Sequence, residues 1–116
     1  MIFARVRAIS TGTKITPDYT VKGIGKSRQE EALVYLVPNR GGGKPSPKRI
    51  RSSEWETAYQ HLLAGGHITR KWFEQNIPGA AKDGPCSFRF IGEVLVLLGV
   101  AVRVDEAAAS KYIPVT

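Results

Sequence analysis

The amino-acid sequence predicts an α+β fold, and two features of the 116-residue chain support this prediction. Short segments rich in β-branched residues, separated by turn residues, occupy positions 1–37. From position 53 onward, apolar residues recur at helical spacing until a segment of alternating valines closes the chain. We therefore expect an N-terminal antiparallel three-stranded meander, three helices and a C-terminal β-hairpin.

The predicted meander has strands at 2–9, 15–24 and 32–37. Residues 2–9 alternate in polarity, which is typical of a half-buried strand. Pro17 restricts the second strand to an edge or to its first residues, because proline cannot donate a hydrogen bond to a neighbouring strand. The third strand is a nearly continuous apolar run, which indicates burial on both faces.

A basic segment at 38–52 separates the β-rich part from a helical part at 53–116. It contains three consecutive glycines followed by Pro45 and Pro47, so we expect a loop with no regular structure. The length allows one domain, and we treat 1–116 as that domain.

Helix signals are clear in the second half of the chain. Ser53 and Glu56 have the spacing of a capping box, and Thr69 is a second N-cap candidate. We predict helices at 54–64, 70–76 and 87–98, a loop at 80–85, and hairpin strands at 100–104 and 112–115. The third helix is apolar nearly all round and should lie in the core. The predicted core residues are Val6, Leu33, Leu36, Trp55, Tyr59, Leu62, Trp72, Phe73, Ile91, Leu95, Leu98, Val100 and Val102.

The order of elements in the C-terminal half, with two linked helices, a third helix and a hairpin, is similar to that of a winged helix. In that arrangement helix 70–76, which carries Arg70 and Lys71, is the candidate for contacting nucleic acid. The alternative is a helical hairpin that packs on a sheet. Residues 52–116 have six basic and seven acidic side chains, so their charge does not support the winged-helix interpretation, which depends on the order of elements alone.

Positive charge is concentrated in the first half of the sequence. The net charge is +7, and residues 1–51 hold eleven basic and three acidic side chains. Such a patch is typical of proteins that bind polyanions, of which nucleic acid is the commonest in cells. The candidate nucleic-acid-binding residues are Arg5, Arg7, Arg40, Lys44, Lys48, Arg49, Arg51, Arg70 and Lys71. One alternative is that the positive charge only maintains solubility. Another is that the strands bind single-stranded bases, which would stack on Phe3, Tyr19 and Tyr35.

Catalytic motifs are not evident. Lys44 follows three glycines, but Pro45 stands where a Walker motif needs serine or threonine. The two histidines and Cys86 do not have zinc-site spacing, and the carboxylates are scattered. We therefore expect no enzyme activity, no metal and no cofactor, and we interpret Cys86 as a small apolar thiol.

The sequence thus predicts a non-catalytic nucleic-acid-binding module, with DNA and RNA left open. The alternative is a protein-interaction or assembly module, which would be an inhibitor or a homo-oligomer subunit. It would bind an acidic partner through the same basic patch, or a partner through residues 94–104 if they are partly exposed. A homodimer is the default form of self-association. The longest charge-free apolar run, 94–102, is too short for a membrane span. A single cysteine suits the reducing cytoplasm, which is the predicted location.

Overall fold

The computed structural model describes residues 1–39, 41–107 and 109–115, which form five helices, a four-stranded sheet and a separate hairpin. The helices are α1 (Ile2–Arg7), α2 (Ser52–Leu63), α3 (Arg70–Asn76), α4 (Pro78–Asp83) and α5 (Cys86–Leu97). The strands are β1 (Lys14–Thr16), β2 (Tyr19–Ser27), β3 (Glu30–Val37), β4 (Ser46–Arg51), β5 (Ala101–Glu106) and β6 (Ala109–Pro114). The predicted α+β class, with an N-terminal antiparallel sheet and a C-terminal hairpin, is confirmed.

The sheet has the order β1-β2-β3-β4, and every neighbouring pair is antiparallel. The prediction of one strand over 15–24 is wrong, because the chain turns back at Pro17 and Asp18. Thr16 holds this turn: its Oγ1 accepts hydrogen bonds from the amides of Asp18 and Tyr19, both at 3.2 Å.

Strand β4 lies inside the segment that the sequence predicts to be a loop. Only the glycine-rich part before it is irregular, and the chain from Ser46 onward pairs with β3. Pro47 is compatible with this pairing because β4 is an edge strand. Further along the same strand, the amide of Arg49 donates to Asp83 Oδ2 (3.1 Å) and that of Arg51 to Glu54 Oε1 (2.8 Å).

The first predicted strand, 2–9, is wrong: its residues form helix α1. The buried side chains of Ile2, Phe3 and Val6 lie on one helical face, and α1 packs against α2. The amide of Phe3 also donates to Glu56 Oε2 (2.9 Å). Packing against α2 therefore overrides the strand pattern of a short segment.

The start of α2 differs from the predicted capping box of Ser53 and Glu56. Glu30, at the beginning of β3, accepts hydrogen bonds from the Ser52 hydroxyl (3.0 Å) and the Ser53 amide (2.8 Å). These bonds, above all the one from the Ser53 amide, hold the pKa of Glu30 below its usual range. A carboxylate distant in sequence thus caps the helix and ties it to the sheet.

The next two helices follow without a long loop. Thr69 caps α3 as predicted, since its Oγ1 accepts from the amide of Trp72 (3.1 Å). The predicted loop at 80–85 is wrong in its first part, because Pro78 begins α4. Proline is favoured in the first turn of a helix, where its missing N–H needs no partner.

Helix α5 agrees with the predicted helix 87–98, and the hairpin β5–β6 follows it directly. Ile68, just before α3, forms an antiparallel bridge with Tyr112 on β6, with N···O distances of 2.8 and 3.0 Å. The ring of Tyr112 lies against Gly92 of α5, where a Cβ atom would approach it within 2.1 Å. The glycine thus permits close contact between helix and hairpin.

One core cluster connects the sheet with the helices. Its centre is aromatic: the rings of Tyr35 and Phe90 stack at 3.8 Å, and Trp55 meets Phe90 edge-on at 6.2 Å. The predicted core residues that are buried are Val6, Leu33, Trp55, Leu62, Phe73, Ile91 and Leu95. Leu36, Tyr59, Trp72, Leu98 and Val100 are partly exposed. Val102, which is 45% exposed, is not a core residue.

Candidate nucleic-acid interface

The main concave basic surface is a cleft of about 810 Å³ between the start of α3, helix α5 and the hairpin β5–β6. We call it the hairpin cleft. Its lining includes five basic side chains, those of Arg70, Lys71, Arg89, Arg103 and Lys111. Residues 52–116 contain only six basic side chains, so the fold brings nearly all of them to one place. Glu106 is the acidic residue in the lining.

Arg70 and Lys71 are held at the rim by the first turn of α3. Both side chains are exposed, and the Thr69 cap fixes the backbone beneath them. The guanidinium of Arg70 lies 4.8 Å from the centre of the Phe88 ring, and its Nη1 donates to the carbonyl of Pro85 at 3.3 Å. Stacking on an aromatic face orients an arginine and leaves its other N–H groups available for an anion.

The hairpin supplies cations that already have partners. Arg103 contacts Asp105 at 3.0 Å and Glu93 at 3.8 Å, and Lys111 contacts Glu106 at 3.0 Å. The hydrogen bond to Asp105 raises the pKa of Arg103. In the part of the chain that the structure describes, the ion pairs do not include Arg70, Lys71 or Arg89. These three side chains therefore carry the uncompensated charge of the cleft.

Two tyrosines border these cations. Tyr112 is buried, and its hydroxyl donates to Glu93 Oε2 at 2.7 Å. Burial, followed by this hydrogen bond to a carboxylate, raises the pKa of Tyr112. Burial also raises the pKa of Tyr19, while the charges of Arg89 and Arg70 act in the opposite direction. Both hydroxyls stay protonated at neutral pH and remain hydrogen-bond donors.

The predicted contacts on β4 are partly engaged within the protein. The Nζ of Lys48 donates to the carbonyl of Asp83 at 2.7 Å. Arg51 is paired with Glu54 at 3.3 Å and with Glu30 at 3.7 Å. Arg49 and Lys44 have exposed side chains. Arg40 is a predicted contact that lies outside the described residues.

The predicted contacts near the N-terminus lie on a helix. Arg5 and Arg7 belong to α1, so the proposed patch on a first strand does not form. Arg5 donates to the carbonyl of Leu98, and Arg7 forms an ion pair with Glu31. Neither residue lines the hairpin cleft.

The surface suggested for base stacking is not formed either. Phe3 and Tyr35 are buried in the core, where the Tyr35 hydroxyl contacts Ser87 Oγ at 2.7 Å. Tyr19 is half-buried and meets Tyr35 edge-on at 5.8 Å. These aromatic side chains mainly stabilise the fold.

Sequence reasoning missed Arg89, Arg103 and Lys111. A count along the chain assigns residues 52–116 a slight excess of acid, but most of the acidic side chains do not line the cleft. Glu54 and Glu56, for example, accept main-chain hydrogen bonds at the other end of the helical part. The detectable signal was the alternation in 100–104, which places Arg103 on a hairpin next to a helix that carries Arg89.

The residues described do not suggest a metal centre. Across 1–39, 41–107 and 109–115, no group of three histidine, cysteine or carboxylate side chains is positioned to hold a metal ion. Cys86 is half-buried, with its Sγ 3.3 Å from the Tyr35 hydroxyl. None of the helices in these ranges is long and apolar enough to cross a membrane.

Comparison with known proteins adds no assignment to this geometry. No family model matches the chain, and neither a curated protein nor a solved structure resembles it significantly.

Proposed function

We propose that the protein is a non-catalytic nucleic-acid-binding module that contacts the phosphate backbone through the hairpin cleft. The observation that carries this proposal is the convergence of five basic side chains on one cleft, three of them without a carboxylate partner among the described residues. Concave basic surfaces concentrate polyanions and hold phosphates by charge-assisted hydrogen bonds.

The arrangement of elements around the cleft supports the same proposal. Helices α2, α3 and α5 and the hairpin occur in the order of a winged helix, with the bridging residue Ile68 before α3 and the additional short helix α4 between α3 and α5. In helix-turn-helix proteins the recognition helix presents its N-terminal residues to the nucleic acid. Arg70 and Lys71 begin α3, and Arg89 lies in the first turn of α5.

The basic residues then differ in their roles. Arg70, Lys71 and Arg89 contact phosphates, and Lys44 and Arg49 add flanking contacts from the β3–β4 side. Arg7 and Arg51 are less available for phosphates, because their guanidinium groups are already paired with carboxylates. The single cysteine suits the cytoplasm as the location.

The test is fluorescence anisotropy with labelled duplex and single-stranded DNA and RNA, measured at several salt concentrations. We expect salt-sensitive binding by the native protein. Changing Arg70, Lys71 and Arg89 to glutamine should make the slope of log K against log salt on duplex DNA shallower by about 2.7, at ~0.9 for each phosphate contact.

A matched control removes the same charge elsewhere. Lys14, Lys22 and Lys26 are exposed residues of β1 and β2 that do not line the cleft. Changing all three to glutamine should alter the slope by much less. Equal effects of the two triple variants would mean that net charge, and not the cleft, governs binding. No binding by folded native protein at low salt would refute the proposal.

The second candidate function is a protein-interaction module, which one observation favours. Leu63, Leu97 and Val115 are 61%, 58% and 51% exposed, and a groove of about 410 Å³ between the ends of α2 and β6 includes two of them. Exposed apolar residues of this kind mark protein-binding surfaces when they are contiguous. Light scattering after size-exclusion chromatography tests it: a concentration-dependent dimer that Leu63→Lys abolishes supports this function, and a monomer at every concentration excludes self-association.

A further inference from the structure

A second basic pocket, of about 440 Å³, lies between β4, α4 and the turn that joins β2 to β3. We call it the β4 pocket. Its charged lining residues are Arg28, Arg49, Arg51, Lys82, Glu54 and Asp83.

The carboxylates of the β4 pocket accept hydrogen bonds from main-chain amides. Glu54 accepts hydrogen bonds from the amides of Arg51 (2.8 Å) and Ala80 (2.9 Å). Asp83 accepts from the amide of Arg49 through its Oδ2 at 3.1 Å. These hydrogen bonds join β4, α2 and α4, and Glu54 is also paired with the guanidinium of Arg51.

The remaining cations of the pocket have no such engagement. Among the residues that the structure describes, the ion pairs do not include Arg28, Arg49 or Lys82. All three side chains are exposed at the pocket. An anion that enters it would meet three cations whose charge is not neutralised by a contacting carboxylate.

The backbone at Arg28 supplies an independent observation. Ser27 pairs with Glu30, so Arg28 and Gln29 form a two-residue hairpin turn, with φ angles of 50° and 67°. Such turns strongly favour asparagine and glycine, because other side chains are strained at positive φ. Strained residues that persist are concentrated at functional sites. The turn thus holds Arg28 in a strained backbone conformation at the lining of the pocket.

A short turn connects the β4 pocket with the hairpin cleft. Asp83 lines the pocket, and its carbonyl accepts from Lys48 Nζ. Two residues later, the carbonyl of Pro85 accepts from Arg70, which lines the cleft. The two groups of unpaired cations thus lie on either side of residues 83–85, and the side chain of Lys48 reaches this turn.

We propose that Arg28, Arg49 and Lys82 form a second phosphate-binding site, and that one nucleic-acid backbone runs from the hairpin cleft across the turn 83–85 into the β4 pocket. This inference rests on the proposed function, since it extends the same bound polyanion. The ligand chemistry is that of successive phosphodiesters, and Lys48 lies beside the path between the two sites.

The experiment uses the full chain and a labelled 20-bp DNA duplex. Changing Arg28, Arg49 and Lys82 to glutamine should make the salt slope shallower by about 2.7, at ~0.9 for each lost phosphate contact. The variant with Lys14, Lys22 and Lys26 changed to glutamine is the matched control. Combining the pocket changes with those of the hairpin cleft should make the slope shallower by about twice as much as either set alone.

A single substitution provides a readout that a purely structural role would not give. Arg28→Gly relieves the backbone strain, so it should raise the Tm while making the salt slope shallower by about 0.9. It also keeps the proposal testable if the triple variant does not fold.

The outcomes separate the two proposals. The second site would be overturned if the cleft variant binds more weakly than the native protein while the pocket variant and Arg28→Gly keep the native salt slope. The proposed function would stand in that case. A slope lowered by both sets supports the continuous path. No binding by the folded native protein would overturn the proposed function, and the second site with it.

Discussion

Replacing Gly92 by alanine tests how the hairpin is held against α5. An ideal Cβ at this position would lie 2.1 Å from Cε2 and 2.2 Å from Cζ of Tyr112. Carbon atoms in contact are normally separated by ~3.5 Å or more, so the ring would have to move by over 1 Å. Tyr112 is buried and its hydroxyl donates to Glu93, which leaves the ring little room to adjust.

Two opposing effects determine the free energy of unfolding of this variant. Alanine is a better helix former than glycine by about 1 kcal/mol. Overpacking costs ~1–3 kcal/mol, and loss of a hydrogen bond to a charged group costs ~1.5–3 kcal/mol. The steric effect should therefore exceed the gain in helix propensity, with a net destabilisation of about 2 kcal/mol. In a domain of this size that lowers the Tm by about 10 °C.

The assay is urea unfolding followed by circular dichroism, for the native protein and for Gly92→Ala. A double-mutant cycle with Tyr112→Val then removes the ring that the new methyl group meets. In that background Gly92→Ala should stabilise the protein by up to ~1 kcal/mol, the helix-propensity term alone. The reasoning is refuted if Gly92→Ala is as stable as the native protein, or if the substitution destabilises both backgrounds equally.

Two further predictions concern pH. Because folding lowers the pKa of Glu30 below 4.5, Glu30 contributes to stability above that pH, and this contribution is lost as the pH falls through the folded pKa. When Tm is measured from pH 7 into acid, Glu30→Gln should be less stable than the native protein at pH 7 and should lose less stability as the pH falls. Parallel curves of Tm against pH would contradict this. Burial raises the pKa of Tyr35 above 10.0. The contribution of Tyr35 to the free energy of unfolding is therefore complete below pH 10.0, and it is lost as the pH rises from there towards the folded pKa. Native protein should therefore lose stability in alkaline urea titrations more steeply than Tyr35→Phe, and equal slopes would show that Tyr35 is not the group responsible.

The fold could be predicted best where local pattern and tertiary packing agree. Helix α5 and the Thr69 cap of α3 follow from spacing and capping chemistry that act within a few residues. Helix α1 could not be predicted in this way, because its short sequence fits two periodicities and only contact with α2 selects one. Strand β4 was missed because Pro45 and Pro47 are typical of a loop, whereas its pairing with β3 at the edge of the sheet is a tertiary contact.

The candidate site shows a similar division. Arg70 and Lys71 could be proposed from a capped helix that starts with two cations. Arg103 reaches the same cleft only because the hairpin folds back on α5, which a charge count along the chain cannot show. The same count overvalues Arg51, because its guanidinium is paired with Glu54 at 3.3 Å and with Glu30 at 3.7 Å.

The hydrogen bonds along the outer edge of β4 also limit how this protein can associate. Pro47 has no N–H, and the amides of Arg49 and Arg51 already donate to Asp83 and Glu54. A foreign strand that approached this edge would find no free donor at these three alternate positions, so it could not extend the sheet by a regular ladder. Contacts made at β4 are therefore limited to its side chains and to carbonyl acceptors. An edge whose donors are engaged in this way also resists the strand pairing that begins aggregation.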